Sequence, residues 1–111
     1  ATNLKYSGDG TVILNGDKLS IISKKLKMKQ QVEVSSLADD LADDYNTKLL
    51  KADDEHIWLL YSDHLLQYNH KTKKLLQSTD LTNWQPNSVL PDEENIWLIS
   101  GKDGLLYGLA L

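Results

Sequence analysis

The chain has 111 residues, 41% hydrophobic and 25% charged, which fits one small soluble domain or a piece of a larger one. Its net charge of -4 argues against a nucleic-acid grip, which calls for a basic patch. The absence of cysteine excludes disulfides and thiolate metal sites, and no apolar run is long enough to span a bilayer.

Taken in chain order, the predicted elements are short strands separated by tight turns. "NLKY" at Asn3 to Tyr6 leads, the turn "GDG" follows, and "TVIL" at Thr11 to Leu14 is the next strand. "NGD" is a second turn, and "KLSII" at Lys18 to Ile22 a third strand. Lys24, Lys25, Lys27 and Lys29 form the densest basic run, read as a solvated strand and turn. "SSLADDLADD" interrupts the pattern. Leu37, Leu41 and Ala42 stand at helical spacing there, Ser36 is a candidate N-cap, and a turn or short helical insertion is expected.

Beyond Asp44 the pattern becomes regular. Strands are predicted at Lys48 to Lys51, Ile57 to Leu60 and Leu65 to Tyr68, with a fourth in "KKLLQST". The series then restarts. "DDEHIWLL" from Asp53 has a partner in "DEENIWLI" from Asp92, which puts Trp58 and Trp97 roughly 40 residues apart. Before the second copy stands "SVLP" and after it "LLYG", as "KLLK" and "LLQY" flank the first. The first third of the chain is a weaker copy, in which "TVIL" takes the place of "HIWL". The longer spacing from Val12 to Ile57 places an insertion around Ser35 to Asp44.

Four strands in roughly 40 residues is the period of a β-propeller blade. The expected fold is all-β: about three antiparallel units at 1–36 (divergent), 37–79 and 80–111, the last one incomplete. A run of blades leaves two faces bare. The expectation is therefore part of a larger propeller, or a ring closed by self-association. A β-sandwich or meander is the other architecture these strands permit. The chain begins at Ala1 without Met, which suggests a processed or excised piece.

"DDEHIWLLYSDHLLQYNHKTKKL" and "DEENIWLISGKDGLLYG" resemble the two-component regulator propeller repeat, D-x-x-G-x-I-W-I-G-T-x-x-G-L-x-x-Y-D-x-x-T-x-x-F. Ile57–Trp58 and Ile96–Trp97 sit on its I-W pair. Leu65 and Gly104–Leu105 fall on the G-L step, Tyr68–Asn69 and Tyr107 on the Y-D step, and Thr72 on the later Thr. The G-T pair is replaced by Leu60–Tyr61 and Ile99–Ser100, the Gly before I-W is missing from both copies, and Val12–Ile13 lacks the Trp. The resemblance implies a non-catalytic sensor segment. Such propellers form the periplasmic half of Bacteroides-type hybrid histidine kinases and resemble receptors for oligosaccharides. The implied partners are an oligosaccharide, further blades of the parent chain or other copies of this one, with the kinase elsewhere in the parent and no membrane contact from this segment.

Side chains with chemistry are weighed against that background. Trp58, Trp97, Tyr68 and Tyr107 recur between copies and are read as packing between blades. His56, His64 and His70 fall at different strand ends, without the convergence a zinc or general-base site needs. The Asp and Glu residues concentrate in turns, and no cofactor or metal site is expected. Tyr45 and Trp84 lie in the connections between units and align with each other. Trp84 with Gln85 and Asn87 combines an apolar ring with polar neighbours, the make-up that stacks on a sugar. Tyr45, Trp84, Gln85 and Asn87 are therefore the candidate ligand residues, against the simpler role of an aromatic plug. Two other functions stay open: a scaffold for protein–protein association or dimerisation, and a carbohydrate-active enzyme with paired carboxylates.

Overall fold

A computed structural model of the chain describes residues 2–7, 10–15, 18–23, 28–41, 47–53, 55–92 and 94–110. These residues form three antiparallel β-sheets in sequence order. The first contains β1 (Thr2–Ser7), β2 (Gly10–Asn15), β3 (Lys18–Ser23) and β4 (Met28–Glu33). The second contains β5 (Lys48–Ala52), β6 (His56–Tyr61), β7 (His64–Asn69) and β8 (Lys74–Asp80). The third has three strands, β9 (Pro86–Pro91), β10 (Asn95–Ser100) and β11 (Leu106–Ala110). Within each sheet every strand pairs with its neighbour in sequence, because the short turns allow nothing else.

The first strands of the three sheets lie side by side, β1 against β5 and β5 against β9. The remaining strands step away from that line, so the sheets lie face to face like leaves of a fan. Among the described residues the sheets do not close on one another, and the molecule measures 45 Å along its longest axis and 23 Å along its shortest.

Alternation along the strands builds two cores. In β2 and β3, Val12, Leu14, Leu19 and Ile21 turn one way, toward Ile57, Leu59, Tyr61, Leu66 and Tyr68 of the second sheet. The Gln30 side chain on β4 donates to the Tyr68 hydroxyl at 3.2 Å across this gap. The opposite face of the second sheet, Trp58, Leu60 and Leu65, meets Val89, Ile96 and Leu98 of the third. Both faces of the central sheet are thus covered, which is why β6 is an unbroken apolar run rather than an alternating one. Each fully buried large aliphatic contributes roughly 1.5–3 kcal/mol.

The interruption between the first two sheets contains a single helical turn, α1 (Val34–Leu37). Ser36 lies inside this turn and is not its N-cap. Glu33 holds that place without a side-chain bond, and the Ser36 hydroxyl donates back to the Glu33 carbonyl at 2.6 Å. Val34 and Ala38 are buried in the first core, with Leu37 and Leu41 packed against it. Ala42 and Tyr45 lie outside the described residues.

Two alignments read from the sequence shift, and one burial expectation is corrected. Val12 and Leu14 face the next sheet as Trp58 and Leu60 do, so "TVIL" matches "IWLL" rather than "HIWL". Tyr68 lies opposite Ile57, whereas Tyr107 lies opposite Leu98 and Leu109 takes the place opposite Ile96. The two tyrosines are therefore not equivalent. The turn before β7 has two residues and the turn before β11 is longer, which slides the third strand by two positions. Trp97, expected in the core, is exposed, while its counterpart Trp58 is buried.

Candidate functional site

Of the candidate residues, Trp84, Gln85 and Asn87 fall together on the connection from β8 to β9. The entry is fixed by Asp80, whose Oδ1 accepts from the Thr82 backbone N–H at 2.9 Å and from its hydroxyl at 2.6 Å. A 3-10 turn, Thr82–Trp84, follows, and Gln85 ends it in the left-handed region with φ 43°. Gln85 and Asn87 are exposed, and Asn87 is the extra residue where the pairing of β9 with β10 shifts.

The turn after β10 grips this connection. Gly101 N–H is shared between the carbonyls of Trp84 and Gln85, both at 3.0 Å, and the buried Ser100 hydroxyl donates to the Trp84 carbonyl at 3.1 Å. A Cβ on Gly101 would stand 2.3 Å from the Gln85 carbonyl oxygen, so only glycine allows this approach. Ser100 was not among the residues singled out from sequence. Its signal was weak but present, a lone hydroxyl closing an apolar strand run.

The ring of Trp84 is half-buried. It packs against the core between the second and third sheets and lies 6.4 Å from the Tyr107 ring at an interplanar angle of 59°. Tyr107 is itself held by its hydroxyl, which donates to Asp103 Oδ2 at 2.6 Å. That bond pushes the Tyr107 phenol upward and holds the Asp103 carboxyl below its ordinary value. Trp84 therefore packs at the edge of the core between the second and third sheets, and Gln85 and Asn87, on the same connection, are exposed. These groups can donate and accept hydrogen bonds.

Each histidine has a local partner. His56 opens β6 with its Nδ1 3.6 Å from Asp53. His64 Nδ1 lies 2.8 Å from the Ser62 carbonyl, and His70 Nε2 lies 3.2 Å from the Asp53 carbonyl. Among the described residues no three His, Asp or Glu converge as a metal site would require.

The described carboxylates that shape turns do so through their own backbones. Asp53 Oδ1 accepts from Glu55 and His56 N–H at 2.9 and 2.6 Å, and Asp92 Oδ1 accepts from Glu94 and Asn95 at 2.8 and 2.6 Å. The repeated Asp is thus an Asx-turn that starts the Trp-bearing strand. The chain matches no protein-family model, and no curated protein matches it at a significant level.

Proposed function

We propose that this chain is a non-catalytic run of β-propeller blades that works by presenting surfaces for recognition. The observation that carries this reading is the adjacency of β1, β5 and β9 with the sheets fanning outward from them. That is how blades radiate from an axis. On the resemblance of its repeats to two-component regulator propellers, we read it as part of a periplasmic sensor. An oligosaccharide bound near the axis would be reported to a kinase elsewhere in the parent chain.

The connection Leu81–Asn87 suits that role. It enters the axis-side strand β9, is pinned at both ends, and offers two exposed amides beside a half-buried aromatic. The test is titration with a panel of oligosaccharides, followed by backbone amide NMR shifts. Shifts should cluster at residues 82–87. Gln85→Ala and Asn87→Ala should each weaken binding about tenfold, the worth of one hydrogen bond, without altering the melting temperature. Shifts elsewhere, or none with any sugar, would remove the sensing role. A second reading, association without a ligand, is favoured by the bare apolar face of the third sheet.

A further inference from the structure

Strand β5 carries two exposed lysines, one near each end. Lys51 stands close enough to Asp53 and Asp92 to act on both carboxylates, so its charge is answered by the acidic turns at that end of the sheets. Lys48 has no such balance. Among the described residues no carboxylate pairs with it. Its ammonium crosses instead to the third sheet and donates to the Asn87 carbonyl at 3.5 Å. A cation therefore stands on the axis-side strands, beside the connection that carries Trp84, Gln85 and Asn87.

The hydrogen-bonding capacity of that connection is lopsided. The Trp84 carbonyl accepts from Gly101 N–H and from the Ser100 hydroxyl, and the Gln85 carbonyl shares the same Gly101 N–H. The Asn87 carbonyl accepts from Lys48. Asn87 Oδ1 lies against Gly101, 3.3 Å from where a Cβ would stand, so the amide nitrogen is the end turned away from that turn. The main-chain acceptors are thus engaged, while the Lys48 ammonium keeps two further N–H donors. What such a surface fits is an acceptor, and a negatively charged one gains most from the lysine.

The nearest acids on this side do not pair with that charge. Asp80 ends the outer strand β8 and is bound to Thr82. Asp103 lies beyond Gly101, with Oδ1 on Leu105 N–H and Oδ2 on the Tyr107 hydroxyl. The chain as a whole carries a net charge of -4, which repels anions at long range. The attraction at Lys48 is local.

We propose that the site at Leu81–Asn87 takes an acidic oligosaccharide. Lys48 faces a carboxylate or sulfate of the sugar, while Trp84 and the two amides meet its ring and hydroxyls. This assignment rests on the sensing role and narrows its ligand class.

Titration followed by amide NMR shifts tests it with two matched pairs of sugars. One pair is an oligogalacturonate and its fully methyl-esterified form. The other is a sulfated oligogalactan and its desulfated form. Each pair removes the charge and keeps the sugar backbone. The charged member of at least one pair should bind at least about tenfold more tightly than its neutral counterpart, the worth of a charge-assisted bond, and should lose that margin as salt rises. Its shifts should include Lys48 together with Gln85 and Asn87. Lys48→Gln, at an exposed position, should erase the margin while leaving the neutral sugar's affinity and the melting temperature unchanged. Lys51→Gln should leave the margin intact. Equal binding of charged and neutral members at residues 82–87 would overturn the acidic class and leave the sensing role standing. Binding by neither member of either pair would remove the sensing role and this assignment with it. A margin that survives Lys48→Gln would overturn the assignment alone, as would equal shifts at the same residues with a poly-glutamate of matched charge.

Discussion

Asp53 and Asp92 show how a repeated residue can be structural without being buried. Each carboxylate accepts two backbone N–H groups three residues or fewer ahead, and each backbone N–H closes on the strand that follows. At Asp53 partial burial pushes the carboxyl up, but the bonds from His56 and Glu55 and the nearby His56 and Lys51 charges outweigh it, and the value falls below 3.8. At Asp92 the bonds from Asn95, Trp97 and Glu94 act in the same direction with little burial to oppose them. Asp80 and Asp103 are held low by Thr82 and by Tyr107 with Leu105. Carboxyls lowered on folding contribute stability that is complete above their unfolded value and lost as pH falls through the folded one. The melting temperature should therefore drop on acidification from about pH 5 to pH 2. The Asp53→Asn/Asp92→Asn double variant keeps an acceptor oxygen for each turn, so its thermal melts across that range should fall less steeply.

Between elements, turn length decides register. Ser62 and Asp63 both have positive φ, at 51° and 57°, the geometry of a two-residue hairpin turn usually filled by Asn-Gly. In the third sheet the corresponding turn runs through Gly104 at φ 73°, where glycine is at ease, and is closed by Ser100 N–H on the Leu105 carbonyl. The extra length slides β11 by two positions and puts Tyr107, not Leu105, opposite Leu98. Asp63→Gly should relieve left-handed strain. The carbonyl that accepts from Leu81 is kept, because it belongs to the backbone. The expected gain is about 0.5–1 kcal/mol, the usual left-handed penalty less the backbone entropy of glycine. Urea unfolding at neutral pH reads it as a higher midpoint with an unchanged slope.

At the scale of the whole molecule, a side chain's worth depends on whether its face has a neighbouring sheet. Trp58 and Trp97 share an Ile-Trp-Leu core and the same place on their strands, yet one is sealed between sheets and the other faces outward. Trp58→Ala should cost roughly 3–5 kcal/mol, the range for emptying a large aromatic from a core. Trp97→Ala, at an exposed position, should cost far less. Paired urea titrations of the two variants separate them. Equal losses would mean that the outward face of the third sheet is covered within a single chain.

Much of the architecture was legible from local chemistry. Short β-branched and aromatic runs between Gly, Asn and Asp turns determine strands, and turns of a few residues force neighbouring strands to pair antiparallel. The recurrence of Asp-x-x-x-Ile-Trp identifies the repeating sheet, since each copy carries its own instructions. The grouping of Trp84, Gln85 and Asn87 was legible too, because they are neighbours in the chain. Only the tertiary structure decided what depends on contacts far apart in sequence. It set which face of each strand meets a neighbour, so that Val12 rather than Ile13 matches Trp58. It tied the Gly101 turn to the Trp84 carbonyl. It also left one of two similar Ile-Trp strands with its ring exposed, for burial is a property of the neighbour and not of the residue.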